Sequence, residues 1–319
     1  MKVTVIVRTY NRPEFLKQAL ASIQLQSHTD WEVLIFDDGA TDINFDVYKK
    51  FKSDNKDKRV IYLSAGEARG LYRRSWLMAP DLADGEIMVR LDDDDLLAED
   101  TLEFLSNTYE KNPELEFSYG SAVTFNGGEL GNLIQTRTCY EHPKSHHEWA
   151  AYTIPNNNPW YEPWAFYRNH YSEARHMTSI IHCAKDNMFC VFHTYAMRTE
   201  SVKRVKDKIT ITSKFVDDLE FMGSLDYLGL GQASIKKILT YLRVHNAGRI
   251  SDGGRITDNT NIFNENFRIR DKVDEIRPSG FLSKVIPVMD PDNFNNGVTN
   301  ELKTNFSSYK QRIFDIVNT

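Results

Sequence analysis

The 319 residues suffice for one large α/β domain, or for a domain with a smaller appendage. Hydrophobic residues make up 41%, charged residues 26%, and Lys+Arg 39 against Asp+Glu 45 leaves a formal charge of -6; this excludes a disordered chain and argues against non-specific coating of nucleic acid. Three cysteines, Cys139, Cys183 and Cys190, argue against a disulfide framework and for a reducing, cytoplasmic setting, and no apolar run approaches the roughly 18 residues of a membrane helix.

The chain opens on MKVTVIVRTY, apolar on both faces through Val3, Val5 and Val7, the pattern of a buried parallel strand rather than a signal peptide. Asn11 is placed to cap a helix with Pro13 in its first turn, and Leu16, Leu20 and Ile23 then fall on one face. WEVLIFDD reads as a second strand, ending in Asp37 and Asp38 and turned by Gly39, and RVIYLS (59–64) as a third. Residues 70–80 can be helical, and EIMVRLD (86–92) is a fourth strand that runs into Asp92, Asp93, Asp94 and Asp95. A helix follows at 99–111, broken by Asn112-Pro113, and FSYGSAVTF (117–125) is another strand. This alternation predicts an α/β fold with a mostly parallel sheet covered by helices on both faces. In such sheets ligands collect at the carboxyl ends of the strands, and there this chain carries Thr9, Tyr10, Asn11, Arg12, Asp37, Asp38 and the four aspartates.

From about residue 126 the composition shifts to Trp, Tyr, His, Asn and Pro. Pro155, Pro159 and Pro163 forbid a regular helix, so this stretch reads as an ordered loop or lid. Trp160 and Trp164 are its candidate acceptor contacts, since aromatic platforms suit sugar faces and bases alike, while packing accounts equally for most of its rings. His182, Cys183, Cys190 and His193 have zinc-ligand types at a spacing that matches no familiar site. A helix returns at 217–229, a strand at IKKILTYLRV, and the residues from about 256 are polar and Asn-rich, with weak amphipathic signals at the end.

Four consecutive aspartates after an apolar strand repel one another unless something positive sits among them. A divalent cation with oxygen ligands, Mg²⁺ or Mn²⁺, is the natural counter-charge, and a solvated turn ahead of the helix at 99–111 is the plainer alternative.

The order of the motifs decides between them. Val5-Ile6-Val7-Arg8-Thr9-Tyr10-Asn11-Arg12, then Asp37-Asp38-Gly39-Ala40-Thr41-Asp42, then Gly85-Glu86 leading to Leu91-Asp92-Asp93-Asp94-Asp95, resemble the inverting family-two glycosyltransferases of the GT-A fold. Ala40 stands where that family usually has Ser. The likeness covers roughly residues 1–125 and continues in Phe215-Val216-Asp217-Asp218-Leu219-Glu220 and Tyr241-Leu242-Arg243-Val244-His245-Asn246, similar to the family's E-D and Y-R-x-H segments.

The resemblance implies a nucleotide-sugar-binding half at 1–125, an acceptor half with the base at 126–255, and a C-terminal extension at 256–319. It implies a nucleotide pocket at Thr9, Tyr10, Arg12 and Asp38, with uridine the fitting base, and Arg73 or Arg74 on the diphosphate. Asp94 would bind the metal, Asp92 the ribose or the metal, Asp95 would orient the site, and Asp93 is the variable middle position. His245 could complete the metal contacts. An inverting transfer needs a carboxylate to take the acceptor's proton, and Asp218, then Asp217, at a helix start fit that role. The acceptor implied is a saccharide or a lipid-linked glycan. A hydroxylated base in DNA is the alternative, motivated by the aromatic stretch and by Arg198, Lys203, Arg204, Lys206 and Lys208. A non-catalytic sugar-nucleotide or glycan-binding module would have lost its acids at Asp94 or Asp218, and both remain.

Overall fold

A computed structural model describes residues 1–39, 42–66, 70–127, 130–137, 140–141, 188–189, 195–211, 217, 221, 225, 230, 232–245, 283–286 and 298–318. The first half alternates strand and helix: β1 (Val3–Thr9), α1 (Pro13–Gln24), β2 (Trp31–Asp37), α2 (Ile43–Asp54), β3 (Val60–Ser64), α3 (Leu71–Leu82), β4 (Ile87–Asp92), the short β5 (Leu96–Leu97) and α4 (Thr101–Lys111). There follow β6 (Phe117–Asn126), β7 (Leu133–Arg137), β8 (Tyr140–Glu141), β9 (Met188–Phe189), β10 (Tyr195–Arg198), α5 (Thr199–Val205), β11 (Gln232–Val244), β12 (Ser283–Ile286) and α6 (Asn300–Val317). The helix α2, in which only Asn44, Val47 and Phe51 are buried, has no counterpart in the sequence reading.

The main sheet runs β12-β11-β6-β10-β4-β1-β2-β3. Its β3-β2-β1-β4 half is parallel, β10 lies antiparallel to both β4 and β6, and β11 is parallel to β6 and β12. β1 is central because its side chains are apolar in both directions. Val3, Val5 and Val7 pack with Leu16, Leu20 and Ile23 of α1 and Leu102 and Leu105 of α4, whereas Ile6 packs with Trp76 of α3 on the opposite face. Burial of each such side chain stabilises by about 1.5–3 kcal/mol, which offsets the polar load at the strand ends.

α1 starts differently from the expectation. Asn11 does not cap it; Arg12 occupies the cap position without a side-chain hydrogen bond, and Asn11 takes a left-handed φ of 50°. The Asn11 side chain then lies so near Gly39 that any Cβ there would sit 2.3 Å from its Oδ1. A Cβ there would also meet Asp37 Oδ1 at 3.0 Å, so glycine suits this close approach of the segments that follow β1 and β2.

The amphipathic signal near the C-terminus is α6, an 18-residue helix capped by the Thr299 hydroxyl, which accepts from Leu302 N at 3.1 Å. Phe306, Tyr309 and Ile313 bury against Leu96, Phe125 and Tyr241, and Tyr309 Oη donates to the Leu97 carbonyl at 2.6 Å. Residues far apart in sequence thus finish the core beneath the loop that follows β4.

Candidate active site

β1, β2 and β4 end side by side, because Arg8 is in register with Asp92 and Thr9 with Asp37. The aspartates that follow β4 therefore face the segment that follows β1. One carboxylate oxygen each from Asp92, Asp94 and Asp95 lie within 4.8 Å of one another. This is an all-oxygen donor set, suited to a hard cation such as Mg²⁺ or Mn²⁺.

The counter-charge that the sequence demanded is also supplied by arginines. Arg12 Nε donates to Asp93 Oδ2 at 3.2 Å, its Nη2 makes a second bond to Asp93, and its Nη1 donates to Asp94 Oδ2 at 2.6 Å. Arg90, two residues before Asp92 on the same face of β4, donates to it through Nε at 3.1 Å and Nη2 at 2.5 Å. Arg243 donates its backbone N–H to Asp95 Oδ1 at 2.9 Å and its Nε to the Asp94 carbonyl at 2.8 Å. Its guanidinium lies 4.6 Å and 4.7 Å from the Phe15 and Phe125 ring centres. A signal for this was present: Arg8 and Arg90 are charged residues inside otherwise apolar strands, and buried charges must be paired.

The Asp94 and Asp95 carboxylates occupy different electrostatic states. Burial pushes the Asp95 carboxyl well above its ordinary value, and the charges of Asp94 and Asp92 add to the push. For Asp94 burial acts upward too, but the hydrogen bond from His245 and the Arg12 charge outweigh it and hold the carboxyl below the ordinary range. Burial alone would lower the Arg12 guanidinium; Asp93, Asp94 and Asp92 reverse that and raise it, so it stays charged. Burial brings Arg243 down to about 10, still cationic at neutral pH.

Several of the expected site residues are held by other protein groups. Asp93 is no incidental middle residue: it is wholly buried and accepts from Arg12, from Thr9 Oγ1 at 2.6 Å and from Tyr10 N at 3.3 Å. Thr9, expected to line the nucleotide pocket, is buried with its hydroxyl used up between Asp93 and Asn44 Nδ2 at 3.3 Å. Arg12, expected on the donor, has its guanidinium committed to two aspartates. His245 stands behind Asp94, Nε2 to Oδ2 3.1 Å, outside the oxygen triad, with its ring edge-on to Phe15. Asp38 Oδ1 accepts from Leu71 N at 2.6 Å and so fixes the start of α3. Tyr10 is 42% exposed and open to a ligand, and Arg74 is exposed on the first turn of α3.

Asp217 turns inward. It is 3% exposed, and its Oδ2 accepts from Arg8 Nη1 at 2.5 Å and from Trp76 Nε1 at 2.7 Å. Both of these contacts to Oδ2 come from protein groups. Asp218, Trp160, Trp164, His182, Cys183, Cys190 and His193 lie outside the described residues. Much of the basic run is paired, with Lys208 exposed. Arg198 donates to the carbonyls of Leu115, Tyr109 and Asn112, while Lys203 pairs with Glu200, Arg204 with Glu116 and Lys206 with Asp81.

This fold is a mixed α/β scaffold with the acid cluster at the carboxyl ends of its parallel strands. The chain belongs to glycosyl transferase family 2, whose model matches residues 4–205. Its fold is the GT-A arrangement expected from the motifs. Among relatives, a glycosyltransferase of Nostoc sp. without a described function is 26% identical over 163 residues, 51% of this chain and 48% of its own length. TuaG of Bacillus subtilis, provisionally assigned to teichuronic acid biosynthesis, is 29% identical over 133 residues, 41% of this chain and 52% of that protein. The chain thus spans about half the length of these two relatives. Among solved structures, S. aureus TarS 1-349 in complex with UDP-GlcNAc superposes with a TM-score of 0.55 at 17% identity, covering 86% of this chain and 66% of that one. No helix among the described residues is long and apolar enough to cross a membrane.

Proposed function

We propose that the protein is an inverting glycosyltransferase that moves a sugar from a nucleoside diphosphate sugar, a UDP-sugar in the first instance, to an acceptor hydroxyl on a saccharide or a lipid-linked glycan. The observation that carries this is the oxygen triad of Asp92, Asp94 and Asp95 at the carboxyl end of β4, beside the exposed Tyr10. The choice of uridine is supported by the likeness in fold to TarS, which was solved with UDP-GlcNAc. The saccharide acceptor is supported by the relationship to TuaG.

In this reading Tyr10 stacks on the base and Asp38 accepts a base N–H through the oxygen not engaged by Leu71. Asp92 contacts the ribose, and Asp92, Asp94 and Asp95 would hold a divalent cation. When bound, that cation supplies Lewis-acid neutralisation of the charge on the departing diphosphate. Asp218 takes the proton of the acceptor hydroxyl as that oxygen attacks the anomeric carbon. The new glycosidic bond forms as the bond from the anomeric carbon to the diphosphate oxygen breaks, which inverts the configuration and releases the nucleoside diphosphate. Arg12, Arg90 and Arg243 hold the carboxylates in place before the donor arrives, the preorganisation such a site requires.

The test is a thermal-shift screen of UDP-, GDP-, CMP- and dTDP-sugars with and without Mn²⁺, followed by transfer assays with the stabilising donor. Metal-dependent stabilisation by one class of nucleotide sugar is expected. A protein that no nucleotide sugar stabilises with Mn²⁺ or Mg²⁺ present would contradict the reading.

A further inference from the structure

Asp94, one of the three oxygen donors that follow β4, already carries a positive partner from the protein. Its Oδ2 accepts from Arg12 Nη1 at 2.6 Å and lies 3.1 Å from His245 Nε2. Arg12 reaches it from the cap position of α1, with its side chain 25% exposed. Nε and Nη2 of the same guanidinium fork onto Asp93, whose side chain is wholly buried. Asp93 is itself fixed by Thr9 Oγ1 at 2.6 Å and Tyr10 N at 3.3 Å. An Arg12 that swung away would strand this buried carboxylate, the costliest way to break a buried ion pair. The guanidinium is thus anchored on Asp93, and its charge stays beside Asp94.

That placement opposes a cation at the triad. A carboxylate shared by a guanidinium and a divalent ion brings two positive charges within about 4–6 Å, and a charge at that range moves an ionic equilibrium by about 10- to 1,000-fold. The partial exposure of Arg12 screens the effect toward the lower figure. A nucleoside diphosphate carries the opposite charge and offsets it. We propose that Arg12 makes cation binding conditional on the nucleoside diphosphate: its charge at Asp94 weakens uptake of the cation alone, and the diphosphate restores it. The coupling is reciprocal, so the cation raises nucleotide affinity by the same factor. This rests on the reading of Asp92, Asp94 and Asp95 as the site of a divalent cation.

The experiment titrates Mn²⁺ by calorimetry into the wild type, Arg12→Gln and Arg12→Lys, each without nucleotide and with saturating UDP or GDP. Lysine keeps the charge, whereas glutamine keeps a hydrogen-bond donor for Asp93 without it. In the wild type, the nucleotide that binds is expected to tighten Mn²⁺ by about 10-fold or more. Arg12→Gln is expected to bind Mn²⁺ alone about 10-fold more tightly than the wild type and to lose most of the coupling. Arg12→Lys should keep both near wild-type values. Equal Mn²⁺ affinity with and without nucleotide in the wild type would overturn the proposal, and that measurement needs no variant to fold. An Arg12→Gln protein that binds Mn²⁺ alone no more tightly than the wild type would also overturn it, leaving Arg12 a support for the two aspartates. A wild type that takes up no Mn²⁺ with either nucleotide removes the cation site together with the coupling, so the two failures are told apart.

Discussion

Arg12 Nη1 lies 2.6 Å from Asp94 Oδ2 while the rest of the guanidinium is forked onto Asp93. One arginine therefore neutralises two neighbouring acids, one of them fully buried. Arg12→Met is expected to leave Asp93 unpaired and to destabilise the protein by about 3–5 kcal/mol in EDTA. Part of that loss should return with Mn²⁺, since a cation at Asp94 lowers the same repulsion. Thermal melts of both proteins with and without metal measure it; a variant as stable as the wild type in EDTA would contradict the clamp.

Asp94 is held in its charged form by both His245 and Arg12, and it is a proposed metal ligand. Asp94→Ala is expected to lower transfer by about 1,000-fold, several kcal/mol of transition-state stabilisation, without unfolding the protein. EDTA should do the same to the wild type, with recovery on adding Mn²⁺. Release of the nucleoside diphosphate is the readout, and full activity in EDTA would count against the metal.

Asp218→Asn removes the proposed base while keeping the side chain's size. Transfer should fall by about 100- to 10,000-fold, the usual contribution of general base catalysis, with donor affinity by calorimetry unchanged. Unaltered turnover would move the proton acceptor to another residue.

Glu32, wholly buried on β2, accepts from Thr4 Oγ1, Arg59 Nη1, Asp84 N and Gly85 N at 2.5, 2.5, 2.6 and 3.2 Å. Burial acts to raise its carboxyl, but the Thr4 and Arg59 hydrogen bonds prevail and hold it below 4.5. A group lowered in the folded state stabilises above its unfolded value, and that stability is lost as pH falls through the lowered one. Glu32→Gln is expected to cost about 1.5–3 kcal/mol at pH 7, near the low end because Arg59 is partly exposed. The difference should shrink below about pH 4. Denaturant melts at pH 7 and pH 3.5 test this; an unchanged difference would rule out the charge as its origin.

Tyr309→Phe leaves the Leu97 carbonyl without its 2.6 Å donor in a buried place. A loss of about 1–3 kcal/mol is expected. Denaturant melts measure it, and a neutral effect would show that α6 is held by its apolar contacts alone.

The strands of the first half, the helices α1, α3 and α4 and the position of the acid cluster were legible because each rests on a local pattern. β1, β2 and β4 are apolar runs, the last two ending in acids, and Leu16, Leu20 and Ile23 share one face. What was not legible depends on pairing across the sheet. Nothing near Asp93 in sequence reveals that Arg12 and Thr9 close around it, some 80 residues earlier. β10 inserts antiparallel between β4 and β6, a choice made by sheet assembly rather than by its four residues. α2 escaped because only Asn44, Val47 and Phe51 of its residues are buried, too few for a clear stripe. Tyr309 and α6 belong to a polar tail whose apolar positions make sense only once Leu96, Phe125 and Tyr241 are known to lie beneath them.

The pairing of Arg8 with Asp92 follows from strand register, and register has an all-or-nothing character. Side chains alternate between faces along β1, so a single residue inserted or deleted between Val3 and Thr9 would exchange every inward and outward position at once. Valine or threonine would then meet Asp92 where a guanidinium belongs, and Val3, Val5 and Val7 would leave the α1 side of the core. The loops of this scaffold are free to lengthen and diversify. The seven residues of its central strand are a fixed ruler, and sequence change there must proceed by substitution rather than by length.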